Sequence, residues 1–304
     1  MRQPLLIGTR ASHLALWQAH WVADRLGDLG ATAAMVEVTT RGDTEQSDPV
    51  ASIGVQGVFT KEVQRAVLSG DADLAVHSLK DLPTEPTPGL VLAAIPERED
   101  FRDALVSRSG AGLDDLPEGA RVGTGSQRRR ALLAAVRPDL QLSPIRGNVD
   151  TRLAKLDRGE YDAIVLASAG LKRLGLHERI AEVLAPPRLL PAPGQGALGI
   201  ECRADDDATR TVLGQLDHVA TRSGVEAERA LLAQLHGGCS VPVGAWGRTE
   251  GDALQLDAVV ASTDGIRVLR AADSGDPSNP AAVGRRLGDQ LLADGAAAII
   301  DSCR

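Results

Sequence analysis

Through roughly its first 200 residues the chain alternates short apolar, strand-like runs with amphipathic stretches, and this alternation constrains the fold more than any other feature. Strand and helix in repeated succession predict α/β domains with largely parallel sheets. "PLLIGTR" (Pro4–Arg10) reads as the first strand. "SHLALWQAHWVADRLGDLG" follows as a helix with Ser12 as N-cap and Gly30 near its end. Leu14, Trp17, Trp21 and Leu29 recur near helical spacing, so both Trp side chains are expected in the core. Further strands are predicted in "AMVEVTT", "ADLAVHSLKD", "LVLAAI", "ALVSR", "RVGTGS", "LQLSPIRG" and "AIVLASAG".

A chain of 304 residues exceeds what one hydrophobic core usually supports, so more than one domain is expected. The pattern breaks at "PEREDFRD" (Pro96–Asp103) and again at the Pro-rich "APPRLLPAPGQGALG" (Ala185–Gly199). If the segment between the breaks is an insertion and the chain returns through "GALGIEC", residues 1–97 with 196–216 form one lobe and 98–195 a second. A cleft between two such lobes is where a ligand is expected. Beyond Asp217 the style changes: a helix in "GVEAERALLAQLHGG", two strands able to pair antiparallel, and a closing helix predict a small α+β domain over 217–304.

Several function classes are disfavoured. The chain carries 33 Lys and Arg against 41 Asp and Glu, a formal charge of −8, which argues against a general nucleic-acid binder. Apolar runs stay short of the roughly 18 residues of a membrane span. The N-terminal stretch lacks the apolar segment of a secretion signal, so a soluble cytoplasmic protein is expected. Three cysteines without a C-x-x-C pair, and six His without H-x-x-x-H, point away from a disulfide framework and from a bound metal.

The basic residues are bunched at three junctions where a strand gives way to a helix. "GTRAS" carries Arg10 and Ser12; "RVGTGSQRRR" carries Ser126, Arg128 and Arg129; "PIRGNVDTRLAKLDRG" carries Arg146 and Arg152. A helix start with hydroxyls and forked guanidiniums suits an anion. For the Arg run taken alone, a solvated helix face is an equal reading. Three such junctions together favour a ligand with several negative charges at the carboxyl ends of the strands. "AVHSLKDLP" ends another strand with Ser78, Lys80 and Asp81 close together, able to stabilise a developing cation or relay a proton. Taken alone that group reads as a surface ion pair; beside the three junctions it reads as part of a site. His77 alternates away from Ser78 and Lys80 and is assigned a structural role. Cys239, in "QLHGGCSVPVG", sits between a Gly pair and a Pro on a turn-forming loop, a poor place for a packed thiol.

These motifs, with "VTTRGD", "GVFTKE", "LASAGLKRLG" and "PGQGALGIECR" in one consistent order, closely resemble the porphobilinogen deaminase family. The resemblance implies two lobes like those of periplasmic binding proteins and a third domain carrying the Cys239 loop. It also implies a dipyrromethane cofactor tethered to Cys239 by a thioether. On that cofactor four molecules of porphobilinogen are condensed with loss of ammonia, before water releases hydroxymethylbilane. Carried over by motif, Asp81 is the catalytic carboxylate. Ser78, Lys80, Thr124, Ser126, Arg128, Arg129 and Arg146 are cofactor contacts; Arg10, Ser12, Phe59, Arg146, Arg152, Arg173 and Gln195 are substrate contacts. Arg130 falls outside the pattern and is placed toward solvent. Gln56 stands where a Lys is expected, and Gly125 and Gln127 also depart from the motif. The family implies a monomer. A non-catalytic, two-lobed anion-binding protein is the alternative, and it gives Cys239 no task; a cysteine-nucleophile transferase lacks an evident His partner for that thiol.

Overall fold

The computed structural model describes residues 4–39, 60–236 and 241–303. Phe59, Gln56 and Cys239 lie outside the described residues. The chain divides into two compact units, Met1–Glu99 with Ala197–Arg222, and Asp100–Gly196 with Ser223–Arg304.

The strands of the first unit are β1 (Leu5–Thr9), β2 (Ala33–Glu37), β3 (Leu74–Ser78) and β4 (Leu90–Ala94), joined by Leu198–Arg203 from after the second crossing. Those of the second unit begin with β5 (Asp103–Ser107), β6 (Arg121–Gly123), β7 (Gln141–Ser143), β8 (Ala163–Ala167) and β9 (Glu182–Leu184), so Leu198–Arg203 is β10. The first sheet has the order β2-β1-β3-β10-β4 and the second β7-β6-β8-β5-β9. In each, three strands pair in parallel and the fourth position is reversed, antiparallel to both its neighbours. Four strands of five therefore run one way in both sheets. The reversed strand is in each case the one that follows a crossing, β5 after the first and β10 after the second.

The core of the first unit sets Ile7, Leu74 and Ile200 from the sheet against Ala19, Val22 and Leu26 of the helix His13–Asp28. The buried face of that helix is rotated from the expected one. Trp17 and Trp21 are half-buried, and Leu29 is exposed. Small Ala19 lets the helix lie close on the sheet, while Trp21 covers the margin of the core with Arg25 over its ring. Cys202, on β10, is fully buried, and burial pushes its thiol up to about 11. Iodoacetamide is expected to leave Cys202 unmodified in the native protein and to label it after denaturation, read by peptide mass.

In the second unit the strands β11 (Val243–Glu250), β12 (Ala253–Ala261) and β13 (Val268–Gly275) form an antiparallel sheet in that order. The helices Val219–Gln234 and Pro280–Ala293 supply Ala227, Leu231, Val283 and Leu287 to its core. The first of these helices meets β11 backbone to backbone: a Cβ on Gly224 would stand 2.5 Å from the Gly247 carbonyl oxygen. Gly224→Ala is expected to lower unfolding free energy by about 1–3 kcal/mol, seen in denaturant titration.

Candidate active site

In the first unit, one pocket forms at the carboxyl ends of β1 and β3, lined by Arg10, Ser12, Gln18, Thr60, His77, Ser78 and Asp81 among others. Each has a local reason to be there. Leaving β1, the chain turns at Arg10 into the helix that Ser12 caps, its hydroxyl accepting from the Ala15 N–H at 3.4 Å. At the end of β3, a single 3-10 turn, Leu79–Asp81, redirects the backbone. Leu79 anchors that turn, with its side chain buried and its N–H donating to the Ala197 carbonyl at 3.0 Å. This leaves Asp81 half-buried at the pocket, while Lys80 is half-buried in the same turn. Gln18 ties the helix to the strand through a 2.8 Å hydrogen bond from Nε2 to Ser78 Oγ. Arg10, Ser12, Ser78 and Asp81 are thus brought together from motifs far apart in sequence.

In the second unit the Arg run behaves unlike a surface charge. Ser126 caps the helix Gln127–Val136 by accepting from the Arg129 N–H, and its own N–H donates to Thr124 Oγ1 at 3.2 Å. Arg128 and Arg129 are 3% and 5% exposed, whereas Arg130 is exposed as expected. Both buried guanidiniums converge on Asp103, at the start of β5. Arg128 reaches its Oδ2 at 2.7 Å, and Arg129 donates from Nε to its Oδ1 at 2.9 Å. Gln195 joins them, donating from Nε2 to Asp103 Oδ1 at 2.8 Å. Arg128 also donates to the Leu190 carbonyl and Arg129 to that of Val165.

Burial alone would raise the Asp103 carboxyl. The charges of Arg128 and Arg129 and the hydrogen bonds from Arg128 and Gln195 outweigh it, holding the group well below the usual carboxylate range. Burial in turn pulls the Arg129 guanidinium below its ordinary value.

Arg152 donates from Nε to the Gly147 carbonyl at 2.7 Å, and Arg146 is half-buried on the loop leading there. Arg173 is buried and donates to the Gly196 carbonyl at 2.7 Å. Asp103 and Glu228 are buried carboxylates that the motifs do not mark. Asp103 lies inside the charged stretch that reads as a crossing, and its only signal is an acid joined directly to the apolar run "ALV". Glu228, fully buried, accepts from the backbone N–H groups of Gly194 at 2.6 Å and Gly247 at 2.8 Å, tying the Pro- and Gly-rich loop to β11.

Comparison with known proteins assigns the family. Residues 5–211 match the porphobilinogen deaminase dipyrromethane cofactor binding domain, and residues 223–293 match the porphobilinogen deaminase C-terminal domain. The chain belongs to the porphobilinogen deaminase family. It is 51% identical to the porphobilinogen deaminase of Roseiflexus castenholzii over 302 residues, 99% of both chains. It is equally identical to that of Desulforudis audaxviator over 306 residues, 100% of this chain and 99% of the relative. Among solved structures, a Salmonella typhimurium periplasmic binding protein aligns over 71% of this chain and 92% of its own at 16% identity, with a TM-score of 0.40.

The residues present suit the cofactor named for the porphobilinogen deaminase domain. A dipyrromethane offers pyrrole N–H donors and several carboxylates. The first pocket holds a cation, two hydroxyls and an acceptor carboxylate in Arg10, Ser12, Ser78 and Asp81. In the second unit two guanidiniums share one carboxylate, leaving an excess positive charge, and the buried Nε of Arg128 has no hydrogen-bond partner. An excess buried cation favours an anionic ligand.

Proposed function

We propose that this member of the porphobilinogen deaminase family is a hydroxymethylbilane synthase, condensing four porphobilinogen molecules with loss of ammonia and releasing hydroxymethylbilane by hydrolysis. The observation that carries the reading is the pocket that gathers Arg10, Ser12, Ser78 and Asp81 at the carboxyl ends of two strands. A dipyrromethane held by Cys239 would supply the free pyrrole carbon on which the chain is built.

The protein's own residues supply orientation and charge. Arg10, with the Ser12 and Ser78 hydroxyls, holds substrate carboxylates at the pocket. Asp81 accepts hydrogen bonds from pyrrole N–H groups, and its negative charge opposes the positive charge that grows on the substrate ring as ammonia departs. The half-buried setting of Asp81 strengthens that interaction over one in bulk water. Thr124, Ser126, Arg128, Arg129 and Arg146, with Lys80, serve the cofactor; Arg152, Arg173, Gln195 and Phe59 serve the substrate and the lengthening chain. The antiparallel sheet and its helices constitute a third domain that presents the Cys239 loop. No helix among the described residues is long and apolar enough to cross a membrane. We place it as a monomeric small-molecule enzyme of the cytoplasm, and the acidic net charge of −8 supports the absence of nucleic-acid binding.

Intact mass of the denatured protein, followed by peptide mapping, tests the attachment. Two linked pyrrole units are expected on the Cys239 peptide, and Cys239→Ser is expected to give the bare polypeptide mass. An adduct on Cys202 or Cys303, or one persisting on Cys239→Ser, would sink the assignment of Cys239.

A further inference from the structure

The pocket that holds Asp81 has a second titratable member that the reading above leaves idle. His77 lines it, yet alternation along β3 puts it on the opposite face from Ser78, the face on which Ala75 packs with Val63 and Val67 of the helix Lys61–Ser69. His77 is 5% exposed, and its Nε2 stands 3.1 Å from Oε2 of Glu201 on the neighbouring strand β10, close enough for an ion pair though not aligned as a hydrogen bond. Glu201 is 4% exposed, and the same oxygen accepts from Gln64 Nε2 at 2.8 Å. A carboxylate this deeply buried needs either a proton or a cationic partner. His77 is the one group in this contact able to supply either. Among the described residues lining the pocket the charged ones are Arg10 and Asp81, from the end of β1 and the 3-10 turn; the helix Lys61–Ser69 contributes the neutral Gln64 and also carries Glu62, one of whose carboxylate oxygens is buried without a partner.

We propose that His77 and Glu201 form a proton-storing pair that serves as acid and then base in the condensation. The proposal rests on the reading of this pocket as the site of reaction. His77 in its imidazolium form gives its proton to the substrate amine. The C–N bond breaks with its electron pair going to nitrogen, and ammonia leaves. The new C–C bond forms from the π electrons of the attacking pyrrole. The C–H bond at the attacking carbon then breaks, its electron pair restores the aromatic ring, and the proton returns to His77. Amine plus ring hydrogen have become ammonia plus a carbon–carbon bond, and the pair ends each round as it began. Glu201, 3.1 Å away, balances the charge of the imidazolium.

The test measures turnover against pH for the wild type, His77→Gln and Glu201→Gln, with 15N NMR of the wild-type histidines. Both variants are expected to retain porphobilinogen affinity and to lose about 10²–10⁴-fold in kcat; the wild type is expected to lose rate as pH rises, and the variants are expected to lack that dependence. Added imidazole is expected to restore part of the His77→Gln rate. In the wild type, His77 is expected to carry protons on both nitrogens within the active pH range. A His77 that stays neutral through that range overturns the proposal without recourse to any variant. So does a reduced kcat with an unchanged pH profile and no rescue, the mark of a packing role. Asp81→Asn run alongside separates the two readings. Full turnover there removes the pocket's role and this proposal with it, whereas inactive Asp81→Asn beside fully active His77→Gln overturns the pair alone.

Discussion

Asp81→Asn is expected to bind porphobilinogen with near wild-type affinity while kcat falls by about 10²–10³-fold or more. The substitution conserves the shape of the side chain and leaves an acceptor oxygen for a pyrrole N–H. What it removes is the negative charge, and charge is what a cationic ring requires as ammonia departs. Carboxylate binding by Arg10, Ser12 and Ser78 is untouched, so the loss belongs in kcat, with KM little changed. Rapid-quench measurement of ammonia release, paired with equilibrium binding of porphobilinogen, would separate the two. Wild-type turnover in this variant would remove Asp81 from the mechanism.

The second large effect is expected from Asp103→Ala. In the folded protein this carboxylate is completely buried between Arg128 and Arg129, with Gln195 bonded to the same oxygen as Arg129. Its removal leaves two guanidiniums in a low-dielectric site with no counter-charge, a change of about 3–5 kcal/mol. Urea unfolding at pH 7 should therefore show a much lower midpoint, and the folded fraction should load less cofactor because both Arg side chains lose their alignment. The pH dependence has a definite sign. Because the folded-state carboxyl lies well below its unfolded value of about 3.9, its contribution is fully present above that value. It is lost as pH falls below about 4 toward the folded-state value. Wild-type stability should fall more steeply than that of Asp103→Ala below that pH. Equal acid sensitivity in the two proteins would contradict the assignment.

What could be read from residues alone follows from how each signal is encoded. The alternation of strand and helix, and the caps at Ser12 and Ser126, depend on local patterning and emerged where expected. β9 and β11 carry no alternation to read: "EVL" is three residues long, and "VGAWGRTE" interrupts its apolar positions with two glycines. "AIVLASAG" reads as strand to its end, but the helix begins at Ser168, which sequence period cannot separate from a short apolar strand. The fate of the Arg run was hidden for another reason. A sequence shows three adjacent cations; that two of them are buried depends on Asp103, a strand end some 25 residues earlier. The same applies to His77, whose partner Glu201 lies on a strand contributed from beyond the second crossing.

The position of that returning strand bears on how the protein is made. β10 occupies the slot between β3 and β4, so until Arg203 has left the ribosome those two strands have no neighbour to join them. The nascent first unit must wait with two unpaired edges, a state open to wrong partners. The five strands of the second sheet, by contrast, lie within one continuous stretch, Asp103–Leu184, and can assemble as soon as that stretch emerges. Synthesis and folding therefore run in opposite orders here: of the two five-stranded sheets, the one that opens the sequence is completed last.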